Sequence, residues 1–246
     1  MKFYDQDKNE ISSLSDFVEM YNNSYFIGEK RLVPGIRQSS KFVEDRIESL
    51  LNTDDWNRMD VINILAWKIG KIKHQDSENN NDIVFSKGWE NADQCQIKLY
   101  NRSLDISQFV DYIVENKSRL KELAQTNSQK ALNEMRDKSP KGIGTVYLIT
   151  LLYFITGGEV PIYDKYAFLA LSAITNKNIP GDFMSYNELP AKSQQEAFSI
   201  IMEKQMKKYI EMINQIFTNT EYQNNRNIDR ALWVYGHSFD TKGEKK

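Results

Sequence analysis

The run VYLITLLYFIT, Val146 to Thr156, is 11 residues long and carries no charge. A bilayer span needs about 20 apolar residues, so this run is read as a helix buried inside a core. It is tightly punctuated. Gly142-Ile143-Gly144 precede it, and Gly157-Gly158, then Pro161 and Asp164, follow it. Glycine permits the backbone turns that begin and end helices. The segment is therefore a buried helix of about three turns set between two sharp bends, and the rest of the chain must supply apolar faces to enclose it.

The rest is suited to that. The spacing of apolar residues is helical nearly throughout. Ser13 and Ser15 are placed to cap a helix bearing Phe17, Val18 and Tyr21. A loop with Gly28, Pro34 and Gly35 follows. Phe42, Ile47, Leu50 and Leu51 recur at helical spacing, and Asp60 opens a helix with Val61, Ile64, Leu65 and Trp67. The polar tract His74 to Asp82 reads as an exposed loop. Within 83–104, IVF and QIKLY read as either short strands or extended loop. Ser107 begins a helix with Phe109, Val110, Ile113 and Val114. A polar helix continues from Leu120 to about Met135, and Pro140 ends it. Further helices are expected from about Lys165 to Thr175, over Ser193 to Phe217 with a methionine-rich apolar stripe, and from Asp229 through ALWVYG. Residues 241–246 read as a frayed tail. No repeat or clear linker appears, so residues 1–246 are expected to form a single unit, mostly all-α.

Composition narrows the chemistry. A single cysteine, Cys95, excludes an intrachain disulfide and a cysteine-ligated cluster. The only histidines, His74 and His237, are far apart, so neither a metal nor another cofactor is expected. MKFYDQDKNE lacks the basic-then-apolar layout of a signal peptide, and the expectation is a cytoplasmic, nucleoid-associated protein with no membrane contact, a monomer. The formal net charge is −2, so a polyanionic partner requires a local basic face. One candidate holds Lys117, Arg119, Lys121, Lys130, Arg136, Lys138 and Lys141 against Glu122, Glu134 and Asp137. On charge alone, a solvated helix face is the better reading of the same residues.

The bends around the buried helix carry the chemistry. In SPKGIGT a tight reversal aims successive N–H groups outward at a helix start, where a phosphate oxygen binds without side-chain charge. Ile143 tucks back between the helices, and Lys141 adds a cation. At the far end, Asp164 stands where another helix begins. An aspartate there is first of all an N-cap. It is also a carboxylate of fixed direction. A phosphate clamp, a rigid helix and a fixed carboxylate together suit cleavage of the bond between sugar and base.

The segment P-K-G-I-G-T-V, the apolar helix, G-G-E-V and P-I-Y-D-K resembles the helix-hairpin-helix motif and Gly/Pro-Asp loop of the DNA base-excision glycosylase superfamily. The family pattern is roughly L-P-G-V-G, an apolar helix, G, then P-[IV]-x-D and a helix. Gly144 and Asp164 are 20 residues apart, as in the family. The likeness covers about 30 of the 246 residues, with the helix-hairpin-helix at about 120–157 and the Pro-Asp loop at 158–165. The closing DRALWVYGH is also similar to bacterial proteins with an 8-oxoguanine DNA glycosylase-like fold. The resemblance implies an all-α, two-lobed fold and double-stranded DNA as partner.

By that resemblance Asp164 is the catalytic carboxylate, stabilising positive charge on the sugar as the base leaves. Lys141, Gly142, Gly144 and Thr145 are the DNA-binding residues, contacting backbone only. Trp89, Trp233 and Tyr235 are candidates for stacking on the flipped base. Bifunctional members carry a lysine two residues after the second glycine, where this chain has Val146. Either water attacks and the enzyme is monofunctional, or a lysine elsewhere substitutes (Lys165 points another way one residue into its helix, and Lys141 is better placed to meet phosphate), or chemistry has been lost and a DNA-binding protein remains. Oxidised guanine is the family's expected substrate; hypermodified phage bases, in a defence role, are the other.

Overall fold

A computed structural model of the chain describes residues 3–5, 7, 9–77, 80–99, 101–174, 210–211, 213–214 and 226–239. The chain is mostly helical. In order, the elements are strands β1 (Phe3–Tyr4) and β2 (Glu10–Ile11), helix α1 (Leu14–Ser24), helix α2 (Lys41–Glu48) running into a 3-10 turn (Ser49–Asn52), and helix α3 (Arg58–Lys68). Strands β3 (Ile72–Ser77), β4 (Asn80–Phe85), β5 (Gln96–Leu99) and β6 (Arg102–Asp105) follow. Then come helices α4 (Ser107–Lys138), α5 (Thr145–Ile155), α6 (Lys165–Ile174) and α7 (Arg226–His237). The expected helix within 193–217 lies almost wholly outside the described residues. Among the described residues, no helix is long and apolar enough to cross a membrane.

The chain divides into two compact units. Residues 40–160 form one; residues 1–39 with 161–246 form the other. In the 40–160 unit, α5 is the core. Leu148, Ile149, Leu151, Leu152, Tyr153, Phe154 and Ile155 are all buried, so beyond its first turn no face of the helix is left for water, as its uncharged sequence requires. Helices α3 and α4 pack on it. Trp67 of α3 meets Phe154 edge-on at 5.7 Å and donates its indole N–H to the buried Glu44 carboxylate at 2.7 Å. Asn57 and Asp60 close a reciprocal capping box on α3, so Asp60 stands at the third helical position and Asn57 is the cap itself. Helix α4 is two helices across a kink: Asn127 leaves helical geometry (φ −156°, ψ 86°) and its side chain accepts from Lys130 N at 3.0 Å, capping the second half.

The end of α5 shows why two glycines stand there. Gly157 (φ 63°) and Gly158 (φ 93°) both take left-handed backbone. Gly158 N reaches Tyr153 O at 2.8 Å and Gly157 N reaches Phe154 O at 3.2 Å. This is the six-to-one and five-to-two pattern that satisfies the last carbonyls of a helix.

The tract His74 to Asp82 is not the loop its polarity suggests. It forms most of an antiparallel hairpin in which Ile72 pairs with Phe85 and Ser77 with Asn80. Strand periodicity is legible only when one face is apolar. Here Lys73, Gln75 and Asp82 are exposed, and the ladder is held by backbone bonds that polar side chains do not advertise. His74 stacks on Phe42 of α2, centroids 4.3 Å apart. The ambiguous IVF and the QIKL of QIKLY resolve as strands in β4 and β5, the latter paired with β6, while Tyr100 lies outside the described residues.

In the other unit, α1 is capped by Ser13, whose hydroxyl accepts from Asp16 N at 3.1 Å. Its apolar face meets α7 through rings: Phe17 and Tyr21 each lie 5.0 Å from Tyr235. Helices α6 and α7 cross so closely that a Cβ on Gly236 would overlap the Tyr166 carbonyl. Only glycine fits that crossing.

Candidate functional site

The hairpin before α5 is built by backbone geometry. Ser139 is extended and ends α4, its N–H on Arg136 O at 3.1 Å. Ile143 N bonds Pro140 O at 3.1 Å, which closes the turn. Gly142 sits at φ 127°, a region closed to residues with a Cβ. An added Cβ there would also press on Leu104 Cδ1 at 3.1 Å. Ile143 is buried and Lys141 is exposed, as the reversal requires.

Gly144 differs from Gly142. It is extended (φ −80°, ψ 163°) and is the N-cap of α5, with no side chain to cap it. Gly144 itself is exposed, and the atoms nearest to a Cβ built there are Tyr147 ring carbons at 3.8 Å. Tyr147 N turns back to Gly144 O at 3.0 Å. Thr145 is 1% exposed, and its hydroxyl accepts from Arg136 Nη2 at 2.7 Å. Its side chain therefore braces the hairpin against α4.

The basic stretch is smaller than its composition. Lys117 does not belong to a surface. It is buried, its ammonium donates to Thr53 O (2.8 Å) and Asp54 O (3.1 Å), and it lies 4.9 Å from the Trp56 ring centre. Burial pushes its pKa below the ordinary lysine range. Arg119 is bound to Glu134, which also accepts from the Tyr112 hydroxyl at 2.6 Å. The Arg119 and Tyr112 hydrogen bonds hold the Glu134 carboxyl down at about 2. Burial, and then the Glu134 bond, push Tyr112 up to about 12. The exposed cations of the stretch outside that ion pair are Lys130, Lys138 and Lys141.

Asp164 opens α6, in the unit of residues 1–39 and 161–246. It is 7% exposed. Its Oδ1 accepts from Tyr166 N and Ala167 N, both at 3.0 Å, which fixes the carboxylate's direction at the helix start. The residues before it, Ile162 and Tyr163, are buried, and burial raises the Tyr163 phenol well above its ordinary value. The carboxylate thus has a rigid approach on both sides in sequence.

The three aromatic candidates stand in different surroundings. Trp89 is 1% exposed, inside the core of the 40–160 unit. Tyr235 is packed by Phe17, Tyr21 and, at 4.9 Å, Phe239; burial, and then Asp5, push its phenol up to about 12. Both rings have their faces occupied, which leaves no room to stack a base. Only Trp233 is partly exposed. It lies 5.3 Å from Tyr25, 5.7 Å from Tyr166 and 4.0 Å from His237.

A feature that periodicity did not single out is the stack of His237 on Tyr166, centroids 3.3 Å apart and 13° from parallel. His237 Nδ1 is 2.7 Å from Trp233 O. The one hint in the sequence was Gly236 beside the histidine, since that glycine is what lets the two helices close. Lys165 Nζ lies 5.2 Å from the same Tyr166 ring. Val146, at the family's lysine position, is half-buried in the first turn of α5. Among the described residues, no group of three or more His, Cys, Asp or Glu is placed to hold a metal ion.

Compared with protein-family models, with curated proteins and with solved structures, the chain matches none.

Proposed function

We propose that the protein is a monofunctional DNA glycosylase that hydrolyses the N-glycosidic bond of a damaged or modified base flipped out of duplex DNA. What carries the reading is the presence in one chain of an uncapped helix start behind Gly142-Ile143-Gly144 and of Asp164, a nearly buried carboxylate held in one direction. In this reading the amides at the start of α5, with Lys141, hold a backbone phosphate. Asp164 balances the positive charge that grows on the deoxyribose as its bond to the base breaks. It also orients the water that adds to C1′ and accepts that water's proton. Val146 supplies no amine, so the base is released and its sugar stays in the uncut strand as an abasic site. Oxidised guanine is the first substrate to test and hypermodified phage bases the second.

The test is a panel of duplexes, each with one modified base, scored for abasic sites. Release by the wild-type protein on at least one duplex, lost in Asp164→Asn with DNA affinity kept, supports the reading. Borohydride trapping of a protein–DNA adduct would refute the monofunctional assignment and point to a lysine such as Lys165. A second reading rests on the capping bonds of Asp164, which account for that residue without chemistry. It makes the protein a DNA-binding protein on the same scaffold, and it predicts affinity for the panel with no abasic sites.

A further inference from the structure

Between α1 and α2, the loop Phe26 to Arg37 exposes one large apolar side chain, Ile27, and three cations on a braced frame. Ile27 is 68% exposed, against 42% for Tyr4, 38% for Met20 and 38% for Phe239, the other exposed large apolar side chains among the described residues. A lone exposed isoleucine on a loose loop would mean little. This loop is tied at several points. Ile27 N donates to Ser39 O at 2.9 Å and Ser39 N to Tyr25 O at 2.8 Å, so the loop closes on its own base. The Gln38 amide donates to Ser24 O at 2.9 Å and Glu29 O at 3.3 Å, and Leu32 N donates to Ser24 Oγ at 3.0 Å. Val33 and Ile36 are buried beneath it, and the guanidinium of Arg230 lies 5.0 Å from the Phe26 ring centre.

The exposed charges are lopsided. Lys30, Arg31 and Arg37 stand against Glu29 alone. Among the described residues, none of the three cations forms an ion pair. Three unpaired cations in the same short loop as one exposed β-branched side chain do not resemble a protein-docking patch, which needs on the order of 1,000 Å² with an apolar centre. They fit a polyanion whose interior is apolar. Phosphates take the cations, with release of condensed counterions, and apolar side chains enter between base steps.

We infer that this loop is a DNA contact: Lys30, Arg31 and Arg37 meet backbone phosphates, and Ile27 enters the base stack. The inference rests on DNA being the partner, and it is independent of base release. Bracing matters because an ordered loop pays little conformational entropy on binding.

The test is fluorescence anisotropy with a labelled, unmodified duplex at several salt concentrations, on the full chain. The triple variant K30A/R31A/R37A should lower the slope of log affinity against log salt by roughly 2 to 3, about one for each phosphate that the three side chains neutralise. Ile27→Ala should leave that slope unchanged. It should instead abolish the fluorescence rise of a 2-aminopurine in the duplex, which Ile27→Leu retains. All four positions are exposed, so the variants should melt with the wild type. Wild-type binding with an unchanged slope in the triple variant overturns the phosphate contacts, and a full 2-aminopurine rise in Ile27→Ala overturns the insertion; either result leaves the DNA reading standing. No binding by the wild type overturns both. Intact binding with no base release sinks only the enzyme reading.

Discussion

Two carboxylates illustrate how much a single residue's surroundings decide. Asp164 is held by two amides at a helix start. Asparagine caps a helix about as well as aspartate, whereas alanine does not. Asp164→Ala is therefore expected to cost about 1 kcal/mol of stability, and Asp164→Asn to cost much less, read by thermal or denaturant unfolding. Equal losses in the two variants would mean that the charge, not the cap, is what the fold uses there. Glu134 is the other case. Its folded pKa, about 2, lies below the ordinary 4.5 because Arg119 and Tyr112 both donate to the charged form. The stabilisation is complete above the ordinary value and fades as pH falls from about 4.5 through about 2. The melting-temperature gap between wild type and Glu134→Gln should accordingly be widest near pH 6 and close towards pH 2. A gap that stays constant across that range would remove the ion-paired network from the explanation. Lys117 carries the same lesson from the cationic side. Its number among the charges of the sequence said surface, and its two carbonyl partners say core.

At the scale of elements, the hairpin separates two glycines that look alike in sequence. Gly142 is in left-handed space with Leu104 against its open side. Gly144 is in ordinary extended space with only Tyr147 carbons, at 3.8 Å, near an added Cβ. Gly142→Ala is expected to destabilise the 40–160 unit by about 1–2 kcal/mol, the cost of left-handed backbone for a residue with a Cβ. Gly144→Ala should cost less, since alanine's chief fault there is as a cap. Paired denaturation curves decide it, and a larger loss at 144 would contradict the geometry described. Helix α5 is the element most legible beforehand, because an uncharged run closed by glycines has few alternatives. The β3–β4 hairpin was the least legible, because its ladder is written in backbone bonds and its side chains are polar.

For the whole molecule, the division into residues 40–160 and residues 1–39 with 161–246 makes one unit continuous in sequence and the other discontinuous. The continuous unit encloses α5 with its own helices, and its chain ends just after the glycine cap of that helix. A fragment of residues 40–160 should therefore fold alone, with helical far-UV circular dichroism and a cooperative melt. A broad, non-cooperative melt would mean that its core is incomplete. The discontinuous unit has no such shortcut, since the α1–α7 ring cluster joins residues far apart in the chain.

By itself the sequence determined that the chain is mostly helical, where α1, α3, α4 and α5 run to within a few residues, and that sharp bends flank a buried helix. Those features are local: they follow from apolar spacing, capping side chains and glycine or proline at fixed offsets. Tertiary structure alone decided that Trp89 and Tyr235 are core rings, that Lys117 is an interior cation, that Arg136 braces Thr145, and that Ile27 is left exposed. Each of those depends on which distant residue arrives to cover or abandon a side chain, and pairing at long sequence separation leaves no periodic trace in the chain.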